Sequence, residues 1–411
     1  MTKNFSDLGT GRESVGAALD FAWTAEEFTA SDMMAKASVT RSTAISAIDT
    51  LLSVDILYEL PNARATGEYR GGRPARRFAL STNLGVIVGV DAGGAHLTVT
   101  VADLRGQTLV THRSGLDPNQ SPAIRRKMIL KSLQVAFDEA ETPREKTLAI
   151  CIGVAAPVNR DGISPPHPEG FWERTNPALA DALKEWAPVV EVENDAVLAA
   201  IAEGEEGSAT GCSDYVALLA SERFGSGVVV DGHVLHGAHG GVGEGIVFEH
   251  VTGAGAAAGI RYAVENEVQT ALEKGAIDPG SELGKLVAKE VDLRGILTLA
   301  AAGDKDAVAI TDRVGESLSK IVGVLGSLYD PSRVIVCGAV AQSIEPVLAR
   351  ARRVLPENLD LPAPQLLASK LGAEVVSRGA LITARRAAKE QVVPMLARGR
   401  LKTLGGRAGT R

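Results

Sequence analysis

The apolar run LGVIVGV that begins at Leu84 ends in Asp91-Ala-Gly-Gly and resumes as HLTVTVADLRG up to Gly106. Continuous apolar residues, a Gly-Gly break and then period-two alternation predict a buried strand, a tight turn and a second strand. Gly93 and Gly94 let the backbone approach a bound phosphate closely, and Asp91 is placed to hold a magnesium ion or its waters beside it. A Gly-Gly hairpin is also common in ordinary sheets, so this segment alone carries no function. Two later stretches add to it. Cys151 to Ile163, CIGVAAPVNRDGI, reads as a buried strand opening into a Pro/Gly loop. Val189 to Gly207, VVEVENDAVLAAIAEGEEG, reads as a strand that delivers Asn194 and Asp195 to the first turn of an Ala-rich helix. The helix dipole favours a carboxylate there, and clefts of α/β proteins open at the ends of such strands. The plainer reading is that the Asp merely caps the helix.

Gly225 to Glu244, GSGVVVDGHVLHGAHGGVGE, and Val334 to Ala341, VIVCGAVA, complete an ordered series. In order and spacing this series resembles the family of repressors, open reading frames and kinases, ROK, and specifically its transcriptional regulators. The resemblance runs from Leu84 to about Lys389. It implies an α/β body of two lobes, of the actin-like ATPase or sugar-kinase type, with a ligand cleft between them. In the family's sugar kinases the counterpart of Asp195 is the general base toward a sugar hydroxyl, and the counterparts of Asn194 and Glu244 bind that sugar. Asn194, Asp195 and Glu244 are therefore the candidate sugar-binding residues. Phe171 or Trp172, in a segment resembling the one beside the family's sugar cleft, lines the pocket or packs the core.

The departures from the family pattern are as informative as the matches. The first phosphate loop of the kinases is D-x-G-G-T, and Ala95 stands at the Thr position, leaving Asp91, Gly93 and Gly94 as a vestigial loop. The second loop carries G-T-G where this chain has Ser221-Glu222-Arg223, and a carboxylate close to polyphosphate is repelled by ~1–4 kcal/mol. Phosphoryl transfer depends on positioning and charge stabilisation, so these losses predict no kinase activity, no use of ATP, and a vestigial base in Asp195. The family's zinc site is predicted absent as well. Val247 occupies its His position, and Val251 to Tyr262 contains no Cys. His233, His236, His239 and His250 lie close in sequence, yet none shares a ligand-type spacing with a thiolate, and Cys151, Cys212 and Cys337 are far apart.

Before residue 80 the pattern changes to helical. Ser14 to Trp23 predicts one helix, and Phe28 to Leu52 predicts two more broken at Ser38-Val39, capped by Thr29 or Ser31 and by Thr40. Met34, Ala37, Ile45, Ile48, Leu51 and Leu52 are expected on one face, leaving Arg41, Ser42, Thr43 and Ser46 on the exposed start of the second. In a helix-turn-helix those positions meet bases and phosphates of the major groove. Leu57 to Leu80 then predicts a β-hairpin wing whose tip carries Arg70, Arg73, Arg76 and Arg77, fitted to phosphates and a narrow minor groove. A winged helix used only for dimerisation is the competing reading. The first 80 residues hold nine basic and ten acidic side chains, so basicity is local to the tip.

At 411 residues and 45% hydrophobic content the chain suits about three globular domains. The expected division is a winged helix-turn-helix at 1–80, a first lobe at 81–205 joined by a terminal helix at 376–390, a second lobe at 206–375, and a basic, flexible tail at 391–411. No charged-then-apolar leader precedes the body, no run approaches about eighteen apolar residues, and three unpatterned cysteines suit a reducing compartment. These features predict a cytoplasmic protein without a membrane partner. The expected partners are an operator in double-stranded DNA, a sugar effector and a second copy of the chain in a homodimer or tetramer. The resulting expectation is a sugar-responsive regulator of carbohydrate genes. Two alternatives stay open: a sugar kinase with a fused DNA-binding domain, and a regulator whose cleft answers to a protein partner.

Overall fold

A computed structural model describes residues 12–61, 75–220, 223–254, 258–289 and 291–392. The N-terminal unit runs α1 (Arg12–Thr24), β1 (Phe28–Thr29), α2 (Ala30–Ala37), α3 (Arg41–Ser53), β2 (Leu57–Glu59) and β3 (Arg77–Leu80). Its strands form an antiparallel sheet in the order β1-β3-β2. This is the chain order expected of a winged helix. Val15, Ala18, Leu19, Ala22 and Trp23 of α1 recur at helical spacing and are all buried. Thr29 caps α2 in a reciprocal box with Asp32, Ser38 ends it at φ 52°, and Thr40 caps α3 through the Thr43 amide.

The buried face of these helices differs from the expected one. Met33 rather than Met34 is fully buried, Ala44 and Ala47 join Ile48 and Leu51 inside, and Ile45 is 38% exposed. An eight-residue helix offers two rotations with nearly equal apolar content, and packing against α1 selects one. Arg70 and Arg73 of the expected hairpin tip lie outside the described residues, as does the tail from 393 onward.

The body consists of two sheets of the same connectivity. The first comprises β4 (Val86–Ala92), β5 (His96–Asp103), β6 (Thr108–Gly115), β7 (Thr147–Val154) and β8 (Val189–Asn194) in the order β6-β5-β4-β7-β8. Its helices are α4 (Pro122–Glu139), α5 (Phe171–Thr175), α6 (Leu179–Leu183) and α7 (Asp195–Glu205). The second comprises β9 (Tyr215–Ala220), β10 (Phe224–Val230), β11 (His233–Val234), β12 (Arg333–Cys337) and β13 (Gln365–Ala368) in the order β11-β10-β9-β12-β13. In each, two antiparallel pairings are followed by two parallel ones. The second lobe also carries α8 (Ile260–Glu273), α9 (Glu282–Val287), α10 (Leu293–Ala301), α11 (Lys305–Tyr329) and α12 (Glu345–Val354), and α13 (Val375–Ala387) closes the series.

The last helix of each half crosses to the other half. Helix α7 lies on β9 and β10, while α13 lies on β4 and β7, and the two helices pack against each other. Glycine makes the crossing possible. A Cβ on Gly227 of β10 would stand 2.1 Å from the Ala196 carbonyl oxygen, and one on Gly379 of α13 would stand 2.0 Å from that of Leu198. Among the described residues, no helix is long and apolar enough to cross a membrane.

Candidate functional site

Strand β8 ends on Asn194, whose Oδ1 accepts from the amides of Ala196 (2.8 Å) and Val197 (3.1 Å) and so caps α7. Its Nδ2 donates to Ala156 O at 3.0 Å, which ties the cap to the loop after β7. The cap is therefore Asn194 and not Asp195, which stands at the first position of the capped helix. Asp195 Oδ1 accepts from the Ala196 amide at 2.8 Å. Burial, then the carboxylates of Asp91 and Glu244, push its carboxyl up from 3.8 to about 7, against the pull of that amide and of His96. Glu244 is raised by burial also, with Arg223 opposing.

Glu244 reaches this group because its loop is zipped onto β10. Ser226 N donates to Gly243 O at 2.9 Å, and residues 225 and 244 form an isolated antiparallel bridge. Gly243 sits at φ 87° with its would-be Cβ 1.8 Å from Ser226 O, so the turn requires glycine. Next to the cap, Glu193 Oε2 lies 2.8 Å from His236 Nε2 and holds that imidazole above its ordinary pKa. The bond joins β8 of the first lobe to the loop after β11 of the second.

The first loop differs from a phosphate cradle in more than Ala95. His96 Nε2 lies 3.0 Å from Asp91 Oδ2, and its ring covers Gly93, with ring atoms 2.2–2.7 Å from where a Cβ on that glycine would be. From behind, the Arg125 guanidinium donates to the carbonyls of Ala92 (2.8 Å), Gly93 (2.7 Å) and Gly94 (3.4 Å) and through Nε to Thr175 O (3.3 Å). Arg125 is 3% exposed, and burial draws its pKa down to about 10. The sequence singles out neither residue: Arg125 opens the run Arg-Arg-Lys, which reads as a solvated helix face. The His96 imidazole, itself exposed, thus stands over the loop on the side of Gly93.

Ser221 and Glu222 lie outside the described residues; Arg223 is exposed, 3.9 Å from Glu249. At the position of the family's zinc ligand stands the exposed Val247, beside the 62% exposed Ile246. Among the described residues, no three His, Cys, Asp or Glu side chains converge as metal ligands do. Trp172 packs on the first-lobe core with its ring 4.8 Å from that of His167, whereas Phe171 is half-buried at the helix start.

On the N-terminal unit, Arg41, Ser42 and Ser46 are exposed together on α3, joined by Ile45. Thr43 is half-buried, its hydroxyl 2.8 Å from that of the cap Thr40. Arg76 is paired with Glu59 at 2.8 Å and Asp49 at 3.7 Å. Arg77 is held by Glu27 at 2.9 Å and by Pro61 O at 3.2 Å. These acidic neighbours temper the positive charge assigned to the hairpin.

A glucokinase of Thermotoga maritima is 28% identical over 275 residues, 63% of this chain and 83% of its own. The DNA-binding transcriptional dual regulator NagC of Escherichia coli K12 is 23% identical over 321 residues, 75% of each chain. The crystal structure of a ROK family transcriptional regulator, a homologue of the E. coli MLC protein, superposes with a TM-score of 0.73 at 19% identity, covering 94% of this chain and 99% of that one. That coverage leaves no room to omit the N-terminal unit, so the fold extends over all three parts. The ROK family model matches residues 87–387, and the chain belongs to the ROK family.

Proposed function

We propose that this chain is a sugar-responsive transcriptional repressor that binds operator DNA through its N-terminal unit and a sugar or sugar derivative through the cleft. The observation that carries the reading is that one continuous hydrophobic core joins the helices of the DNA-type unit to α7, the helix that starts at Asp195, and to α13. Arg41, Ser42, Thr43 and Ser46 face the major groove, and the exposed Ile45 suits a thymine methyl. Arg70 and Arg73 supply phosphate and minor-groove attraction; Arg76 and Arg77 join them by exchanging carboxylate partners, exposed pairs worth only ~0–1 kcal/mol. In the cleft, the Asp195 and Glu244 carboxylates accept from vicinal hydroxyls, and the remaining amide N–H of Asn194 donates. Reading two half-sites requires paired recognition helices, so the acting form is a homodimer or tetramer in the cytoplasm.

One observation favours a second reading. A carboxyl poised near 7 is where a general base works best, as in a sugar kinase. His96 over the first loop and Ala95 beside it weigh against that alternative. Selection of duplexes from a random pool, followed by thermal-shift screening with glucose, mannose, N-acetylglucosamine, N-acetylmannosamine and xylose, tests the repressor reading. ATP-coupled assays on the same sugars test the kinase. Turnover at ordinary values of ~1–10³ s⁻¹ would favour the kinase; a selected duplex bound ~10³-fold or more above random DNA supports the repressor.

A further inference from the structure

Helix α1 has no basic residue in its last turn. Thr24 Oγ1 and Ala25 N serve the Phe21 carbonyl from within the unit, and the body serves those of Trp23 and of the two residues after the helix. Arg385 on α13 donates through Nη2 to Trp23 O at 2.7 Å and through Nε to Leu104 O at 2.9 Å, with its guanidinium 5.7 Å from the centre of the Trp23 ring. Arg105, in the β5–β6 turn, donates to Ala25 O at 3.2 Å and to Glu26 O at 2.8 Å. Lys389 Nζ lies 2.7 Å from the Asp20 carboxylate. Three cations of the body thus grip one end of one helix of the DNA-reading unit.

The same α13 is fixed to the cleft helix. Beyond the close approach at Gly379, Arg378 pairs with Glu206 at 2.8 Å and Arg386 with Glu205 at 3.2 Å, both at the far end of α7. Helix α7 has 11 residues, so at about 1.5 Å per residue these pairs lie roughly 15 Å from Asp195. The close approach at Gly379 and the two ion pairs tie the helices together, so that a shift of α7 on lobe closure would be passed to α13. The joint with the DNA-reading unit is mixed: its apolar residues belong to the core shared with α13, and beside them opens a cleft of about 840 Å³ lined by Trp23, Arg105, Glu205, Arg378 and Arg385 among others. The polar bonds at the margin of that cleft can exchange partners while the packed core stays closed.

We propose that Arg385, seconded by Arg105 and Lys389, is the positioning clamp through which α13 passes the occupancy of the Asp195–Glu244 cleft to the DNA-reading unit. This rests on the functional reading above. Coupling between two sites requires an element whose equilibrium both sites bias. Cutting the clamp leaves both binding sites intact and removes the connection.

The test uses the full chain as wild type, Arg385→Ala and Arg385→Lys, with the duplex selected by the wild type and with glucose, N-acetylglucosamine and xylose as probes. The dissociation constant for DNA is measured with and without each sugar, and that for the sugar with and without DNA, since the coupling factor must be the same in both directions. The wild type is expected to show a factor of about 5–150. Arg385→Ala is expected to bring it within about twofold of one while each ligand alone binds as before, and Arg385→Lys, which keeps one donor, to lie between. A wild-type factor in Arg385→Ala overturns the clamp, as does loss of DNA affinity without sugar, which would make Arg385 a residue of the fold alone. Should that variant lack a cooperative melt, Arg105→Ala replaces it under the same two outcomes. A wild type that ignores all three sugars overturns the functional reading itself and is thereby told apart from failure of the clamp.

Discussion

Sugar affinity should depend on pH through Asp195. The carboxyl is pushed up to about 7 by burial and by Asp91 and Glu244. A sugar hydroxyl that donates to this group binds its ionised form, so below about pH 7 the ligand must first displace a proton. Linkage then sets the slope: each pH unit below 7 weakens binding about tenfold, or about 1.4 kcal/mol, and above about pH 8 affinity is flat. Asp195→Asn should remove the slope together with most of the affinity, and His96→Gln should keep it. Titration calorimetry in two buffers of different ionisation enthalpy should count about one proton released at pH 6 and almost none at pH 8. The sign for stability is the opposite of a salt-bridged aspartate. The folded pKa is raised, so this group's contribution is full below about 3.8 and is lost as pH rises through about 7. The ligand-free Asp195→Asn protein should therefore melt higher than wild type at pH 8. Equal wild-type affinities at pH 6 and pH 8 would show that no sugar hydroxyl donates to a carboxylate titrating near 7 at Asp195.

Gly379→Ala places a methyl 2.0 Å from Leu198 O and should destabilise the chain by about 1–3 kcal/mol in thermal melts; an unchanged melt contradicts the close helix contact. Arg41→Ala should cost ~1–3 kcal/mol on the selected duplex and little on random DNA, and equal costs on both would remove it from base reading. Neutralising Arg70 and Arg73 should weaken binding to all duplexes and lower the salt slope by about one unit for each phosphate no longer neutralised, with smaller effects for the carboxylate-paired Arg76 and Arg77. If affinity and slope stay as in wild type, the hairpin does not touch DNA.

Local patterns are legible in the sequence and tertiary ones are not. The β4–β5 hairpin, the Thr29 and Thr40 caps and the strand-to-helix delivery of Asp195 follow from residues within a few positions of one another, where turn and cap chemistry operate. The rotation of α3 that exposes Ile45 depends on what α1 presents to it. The burial of Arg125 depends on carbonyls some thirty residues upstream, and nothing in its own neighbourhood distinguishes it from Arg126. His96 directly follows a loop whose glycines are conspicuous in the sequence, but a side chain's choice of covering Gly93 is a matter of packing. The clamp on α1 joins residues 23 and 385, a pairing visible only once α13 has returned to the first lobe.

Whether one chain both reads DNA and answers to a sugar is decided by the affinity of the full chain for its selected duplex, measured at fixed salt with and without each sugar of the panel. The expected result is sequence-selective binding whose dissociation constant changes about fivefold or more with at least one sugar, and no such change in Asp195→Ala, which still binds the duplex. Binding that does not distinguish the duplex from random DNA, or a duplex affinity that every sugar leaves unchanged, would show that this chain is not a sugar-responsive regulator.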